Sequence, residues 1–344
     1  MESQNERNPP PSKSPLVSVI IPAYNVSQYI SEALDSILSQ DFRDFEIIVV
    51  NDGSHDTEEL ERVLRPYQQR ITYLKHENKG ISGARNTALR IARGDYIALL
   101  DADDIWLDNK LSEQVSFIQS GGYDLVYADA FLFGDSPWPP GTTFMDMSPS
   151  NGQVTLESLL ALRCCVVVST VLARKQAIFD AGMFDEQVRV TEDFDLWVRM
   201  ALNGNRFGYQ REVLAKYRYR ADSVSANGIN LHEGALRVLD WVNLRNDLKQ
   251  RERQALERTA GTLRAKLSLE RCKLMILQGD FDGARRLLSH LGTQGRVGRS
   301  FSRKLACAPD RVSYRESIEG ARQTGMLSKV NALLNCTGKG KFAG

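Results

Sequence analysis

Apolar positions follow two periods along the first two thirds of the chain. Leu16-Val17-Ser18-Val19-Ile20-Ile21 and Phe45-Glu46-Ile47-Ile48-Val49-Val50 are β-branched runs bounded by turn residues. Runs of this length and composition predict buried strands. Pro22 has no backbone donor and is expected to end the first ladder. From Tyr29 onward, Ile30, Leu34, Ile37 and Leu38 fall on one face of an amphipathic helix. Further helices are expected over 57–67 and 82–92, and further strands over 71–74 and 97–100. Strands alternating with helices of about ten residues imply βαβ units, a mostly parallel sheet and right-handed crossovers.

From Gly121 the pattern loosens. It predicts strands over 123–133, 165–173 and 213–219. A helix is expected over 154–162, and another over 194–203 directly after Thr191-Glu192-Asp193. Beyond about residue 230 the periodicity is helical almost throughout. Residues 273–291, with Gly279-Asp280-Phe281 between two periodic stretches, resemble the helix pair of a tetratricopeptide unit. One such unit cannot bury its own apolar face, so the segment reads as a helical appendage.

Composition narrows the class. The 344 residues are 42% hydrophobic and 25% charged, as in an ordinary globular protein. A formal net charge of +1 gives no reason to expect a nucleic-acid partner. From Gly292, however, ten lysines and arginines stand against three acids. Such a basic tail is a solvated surface or a contact for membrane headgroups. Five cysteines with no Cys-x-x-Cys spacing argue against a disulfide framework or zinc site and for a reducing cytoplasm. Adjacent Cys164 and Cys165 are expected as small buried strand residues. No apolar run is long enough to cross a bilayer. The polar, Pro-rich segment 1–15 reads as a disordered leader and not as a signal peptide.

Four short motifs fall at strand ends. Ile97-Ala98-Leu99-Leu100 runs into Asp101-Ala102-Asp103-Asp104, three carboxylates in four residues. A hard divalent cation carrying a diphosphate would relieve their repulsion, since Mg²⁺-type ions take one or two protein carboxylates plus phosphate oxygens. The plain alternative is an acidic turn in which Asp103 or Asp104 caps a helix running on from Ile105. Pro22-Ala23-Tyr24-Asn25 offers an aromatic face for a nucleobase. Asn51-Asp52-Gly53-Ser54 offers a carboxylate for a uracil imide, or ordinary turn chemistry. Asn78-Lys79-Gly80-Ile81-Ser82-Gly83-Ala84-Arg85-Asn86 places glycines before a helix N-terminus, an anion-binding arrangement. There, Arg85 would meet a diphosphate or the acids across the crevice.

Taken in this order, the motifs resemble family 2 glycosyltransferases of the GT-A fold over roughly residues 16–225. The resemblance implies a Rossmann-like α/β domain over 16–228, its nucleotide-binding half at 16–108 and its acceptor half at 109–228. A helical C-terminal region would occupy 229–344. It implies metal-assisted transfer of one sugar, with inversion, from a nucleotide-sugar donor to a glycan, lipid-linked sugar or other hydroxyl acceptor. In that family's pattern Pro22, Ala23, Tyr24 and Asn25 flank the base and Asp52 meets its edge. Arg85 lies near the diphosphate, Asp101 and Ala102 near the ribose, and Asp103 holds Mn²⁺ or Mg²⁺. UDP and dTDP fit the Asp52 argument equally. Asp193, in Thr191-Glu192-Asp193, matches the base for the acceptor hydroxyl, with Glu192 assisting. Trp197 would face a sugar ring or the core. The absence of Gln-x-x-Arg-Trp after this motif argues for single additions and against a processive synthase. A cytoplasmic enzyme is expected, touching the inner membrane face peripherally through the basic C-terminal helices, with no nucleic-acid partner.

Two other classes share parts of this pattern. A haloacid-dehalogenase-type phosphatase also puts Asp-x-Asp after a strand, but normally at the start of the domain. A silent nucleotide-sugar binder would keep the scaffold without the chemistry.

Overall fold

Continuous apolar runs become strands covered on both faces, the sequence signature of a parallel sheet between helix layers. The computed structural model describes residues 14–220 and 228–294. The expected leader and basic tail lie almost wholly outside the described residues. The first half alternates β1 (Val17–Ala23), α1 (Ile30–Leu38), β2 (Phe45–Asp52), α2 (Thr57–Leu64), β3 (Ile71–His76), α3 (Gly80–Ile91) and β4 (Tyr96–Leu99). The second contains β5 (Ile105–Trp106), α4 (Lys110–Gly121), β6 (Leu125–Gly134), α5 (Phe144–Met147) and α6 (Leu156–Leu160). It continues with β7 (Leu172–Arg174), α7 (Lys175–Asp180), α8 (Glu192–Leu202) and β8 (Phe207–Tyr219). Helices α9 (Gly228–Asn243), α10 (Gln250–Gln278) and α11 (Phe281–Gln294) follow.

The eight strands of the described residues form one sheet, ordered β3-β2-β1-β4-β7-β6-β8-β5. Strands β1, β2, β3 and β4 pair in parallel, as do β6 and β8; β7 and β5 pair antiparallel with their neighbours. Two antiparallel steps through β7 restore direction, so β8 ends on the same sheet edge as β1, β2 and β4. That edge gathers the motifs. One core packs Val17, Val19 and Ile21 of β1 and Ile47 and Val49 of β2 against Ile30, Leu34 and Ile37 of α1 and Leu111 and Ile118 of α4.

Several local expectations are corrected. Pro22 does not end the first strand, which pairs with β2 through Ala23↔Asn51. Ile20 faces β4, accepting from the Leu100 N–H, and the β1–β4 register stops at Ile20↔Leu99. Pro22, two residues on, faces the same side past that pairing, so its missing donor costs no ladder bond. Neither Asp103 nor Asp104 caps a helix at Ile105, because that segment is β5, paired with β8. The strand expected over 165–173 shrinks to Leu172–Arg174, preceded by a 3₁₀ turn at Val168–Thr170. Thr170 Oγ1 donates there to Val167 and Ala128 carbonyls, a side-chain competitor to a ladder. Cys164 and Cys165 therefore lie outside any strand, Cys164 buried and Cys165 half-buried.

Contacts divide the described chain into two compact units, up to Gly261 and from Thr262. Within the first, Gly234 of α9 lets that helix close on Thr191, since a Cβ there would stand 2.6 Å from its Oγ1. In the second, α10 and α11 turn about Gly279 (φ +84°) where the sequence places the helix pair, and Cys272 packs on Ala284. No helix among the described residues is long and apolar enough to cross a membrane.

Candidate active site

The ends of β1 and β2 are laced together before any ligand arrives. Ser54 Oγ accepts from the Asn25 N–H at 3.1 Å, and Asn25 Oδ1 accepts from the His55 N–H at 2.8 Å. Asn25 takes the left-handed conformation (φ 55°) that asparagine tolerates. This turn leaves Tyr24 43% exposed, its ring centroid 6.0 Å from that of His55. Pro22 and Ala23 sit below it in β1. Asp52 is buried at the end of β2. One of its oxygens accepts the Lys79 N–H at 2.7 Å and lies 3.4 Å from His76 Nδ1. Gly53 (φ +67°) allows this approach, since a Cβ there would stand 2.7 Å from the Asn78 nitrogen.

The acids after β4 divide into three roles. Asp101, at the rim, accepts from Arg85 Nη2 at 2.7 Å, and its N–H reaches Ser169 Oγ at 3.2 Å. Asp103 is partly open to solvent and pairs with Arg220 Nη1 at 3.2 Å. Burial and the Asp101 charge push its carboxyl up, against the pull of Arg220 and Arg218. Asp104 is buried, accepting from Ser169 Oγ and, at 2.7 Å, from the Arg218 N–H. Burial first, then Asp103 and Asp101, hold its carboxyl well above the ordinary range. Its task is to tie β4 to β8. Ala102 is buried.

Across the crevice, α8 begins at Thr191, held in the left-handed region (φ 65°). Glu192 Oε1 accepts from Arg85 Nη1 at 2.7 Å. Asp193 Oδ1 accepts from the Phe194 N–H at 2.7 Å. Burial and the neighbouring Glu192 charge push the Asp193 carboxyl up to about 7, while Arg85 and the Phe194 N–H oppose the shift. The Cys165 thiol lies within its field and is pushed up to about 12, chiefly by burial. Arg85 joins the two sides, 1% exposed, with the Phe184 ring 5.2 Å away. Trp197 belongs to the core, not to a sugar platform. Trp138 sits edge-on to Tyr219 at 5.3 Å.

The sequence reading missed Ser169, Arg218 and Arg220. Arg218 lies over Tyr29 and Phe133 at 4.7 and 4.3 Å, and Arg220 over Tyr29 at 5.2 Å. The signal available was their i, i+2 spacing at a strand end, which puts both on one face.

Among the described residues no group of three His, Cys, Asp or Glu side chains forms a ready-made cation site. An ion that dehydrates reluctantly does not require one, because one carboxylate plus donor phosphates suffices. The half-open, hard-oxygen Asp103 carboxylate, already facing a cation in Arg220, fits that requirement.

Comparison with known proteins bears on the family and the fold. The model for the family described as "Glycosyl transferase family 2" matches residues 18–166. An Escherichia coli UDP-Glc:alpha-D-GlcNAc-diphosphoundecaprenol beta-1,3-glucosyltransferase, WfgD, is 31% identical over 217 residues, covering 62% of this chain and 80% of that protein. An uncharacterized glycosyltransferase of Rickettsia felis is 30% identical over 256 residues, covering 71% of this chain and 40% of the relative, so the chain spans well under half its length. Among solved structures, S. aureus TarS 1-349 in complex with UDP-GlcNAc superposes with a TM-score of 0.60 at 18% identity, covering 90% of this chain and 92% of that one. The mannosyltransferase PcManGT from Pyrobaculum calidifontis, in complex with GDP-Man and Mn2+, gives 0.59 at 19% identity, covering 91% and 86%. These structural likenesses show the fold, which is GT-A with a helical C-terminal region.

Proposed function

Because the chain belongs to glycosyl transferase family 2 and is a glycosyltransferase, we propose that it moves one hexose, with inversion, from a UDP-linked donor to a lipid-linked diphosphate sugar. The observation that carries this reading is Asp193, a carboxyl of pKa about 7 across the crevice from the Asp101–Asp103 turn. A base tuned near neutrality can take the acceptor proton as the sugar–oxygen bond forms. Glu192, anchored to Arg85, orients that base.

On the donor side, Tyr24 flanks the base, Asp52 meets its edge and Asp101 the ribose. Asp103 would hold Mn²⁺ or Mg²⁺, whose chemistry is to neutralise the departing diphosphate. Arg218 and Arg220 add positive charge at the same end of β8. Asp101, the position a phosphatase would need as nucleophile, is instead ion-paired to Arg85, which weakens that alternative. The lipid-linked acceptor follows from likeness to WfgD, and a cytoplasmic site at the membrane surface follows from the acceptor.

The test is a thermal-shift screen of UDP-glucose, UDP-GlcNAc, dTDP-glucose and GDP-mannose with Mn²⁺, followed by UDP release with GlcNAc-diphosphoundecaprenol as acceptor. A uridine donor should raise the melting temperature in wild type and not in Asp103→Ala. Equal stabilisation of the two proteins would remove Asp103 as metal ligand. A stronger response to GDP-mannose would overturn the uridine reading.

A further inference from the structure

The segment 78–86 opens α3, and its glycines were expected to admit an anion. Its buried side chains turn instead toward the stretch leading into α8. Ser82, Arg85 and Asn86 share one face of α3 at spacings of three and four. Ser82 Oγ donates to the Val188 carbonyl at 3.2 Å. Asn86 donates from Nδ2 to the Phe184 carbonyl at 2.8 Å and accepts the Phe184 N–H at 3.0 Å. Arg85 completes the set with paired 2.7 Å contacts to Glu192 and Asp101. The face therefore fastens residues 184–192 along their length, up to the turn that presents Asp193.

We propose that Arg85 is a positioning residue that locks the Glu192–Asp193 turn to the Asp101 end of β4, keeping acceptor-side base and donor-side acids in one register. The proposal rests on the reading of Asp193 as base. With 1% of its surface exposed and both terminal nitrogens engaged by carboxylates, Arg85 presents no face to a diphosphate. A buried guanidinium shared between two carboxylates also fixes direction, because its planar fork sets both contacts at once. The charged groups around Asp193 are Glu192 on α8, Arg85 from α3 and Asp101 beyond β4, with the neutral Cys165 thiol alongside. Among the described residues, Arg85 is the cation that pulls the Asp193 carboxyl down. Losing it leaves the carboxylates unopposed and raises the pH at which Asp193 ionises.

The experiment compares Arg85→Lys and the double variant Arg85→Met/Glu192→Gln with wild type. It measures UDP affinity by calorimetry with Mn²⁺, and kcat, KM and pH dependence with the donor that passes the screen. Lysine keeps the charge but cannot span both carboxylates; the double variant leaves no charge facing Glu192's position. We expect UDP affinity within about threefold of wild type in both and kcat at least about tenfold lower, the loss that misaligned catalytic groups bring. In the double variant the acid limb of the pH profile moves downward, because the lost Glu192 charge raises the Asp193 carboxyl by more than Arg85 lowers it. UDP affinity falling tenfold with kcat unchanged would put Arg85 on the diphosphate and overturn the proposal. Wild-type kinetics in Arg85→Lys would overturn it too. Asp193→Asn separates the premises: normal transfer by that variant defeats the base reading. A dead Asp193→Asn beside a normal Arg85→Lys defeats only the positioning role.

Discussion

An Asp193→Asn substitution exposes the working of the site through both rate and stability. The wild-type carboxyl titrates at about 7, against an ordinary value of 3.8. If its ionised form is the base, about a tenth is competent at pH 6 and about nine tenths at pH 8, so kcat should climb roughly tenfold between them. An aspartate with its ordinary pKa would give a flat profile over that range. The stability sign follows from the same shift. The native carboxyl binds its proton more tightly than the unfolded one, so the stability this gives is full below about pH 4 and is lost as pH rises through about 7.

A three-unit shift is worth about 4 kcal/mol at full burial, but Asp193 is partly open to solvent and titrates jointly with Glu192, which reduces the effect to about 1–2 kcal/mol. Asparagine keeps the shape and removes the ionisation. Its melting temperature should therefore exceed wild type by about 2–8 °C at pH 8 and match it near pH 4, at about 2–4 °C per kcal/mol for a unit of this size. Scanning calorimetry across pH 4–8 needs no substrate. An asparagine variant less stable than wild type at pH 8, or a rate profile flat from pH 6 to 8, would refute the reasoning.

Three further outcomes test other parts of the site. Gly53→Ala puts a Cβ 2.7 Å from the Asn78 nitrogen at φ +67°; it should cost about 1–3 kcal/mol and weaken UDP binding by displacing Lys79 from Asp52, and an unchanged melting temperature would count against that account. Arg220→Ala removes the cation paired with Asp103; donor-free Mn²⁺ affinity, read by electron paramagnetic resonance, should tighten by up to about fivefold, and weaker binding would show that Arg220 does not compete for the carboxylate. Lys110 is buried over the Trp106 ring at 3.9 Å, and burial holds its amine well below the usual range. Its native pKa lies below the unfolded one, so its destabilising effect is present at neutral pH and fades as pH rises toward about 10. Lys110→Met should thus match or exceed wild-type stability at pH 7, with the gap closing at high pH; a clear loss at pH 7 would show that the amine's bond to the Val171 carbonyl matters more.

What could be read from the chain alone follows how far apart the interacting residues lie. β1 and β2 were legible because strands covered on both faces need unbroken apolar runs, and the acids were legible because they follow such a run directly. Asp104 was ambiguous between cap and ligand for a reason in the fold: its partners, Ser169 and Arg218, lie 65 and 114 residues away. No local pattern marks a carboxylate whose task is to join two strand ends. The hydroxyls of the 168–170 turn misled in the opposite direction, since Val166, Val167 and Val171 invite a strand that Ser169 and Thr170 divert into bonds to Asp104 and Ala128.

The same distance explains why the segment 78–86 admits two readings. Glycine spacing describes the backbone at the helix start, which suits an anion. The spacing of Ser82, Arg85 and Asn86 describes the buried helix face, which suits a strut. The two faces need not serve the same partner. Gly80 itself is covered by the Arg189 guanidinium from the very stretch that Ser82 and Asn86 hold. Both aspects of the motif therefore converge on residues 184–192. The structure thus favours the strut, since the groups that would greet a diphosphate at α3 are already engaged by the segment that carries Asp193.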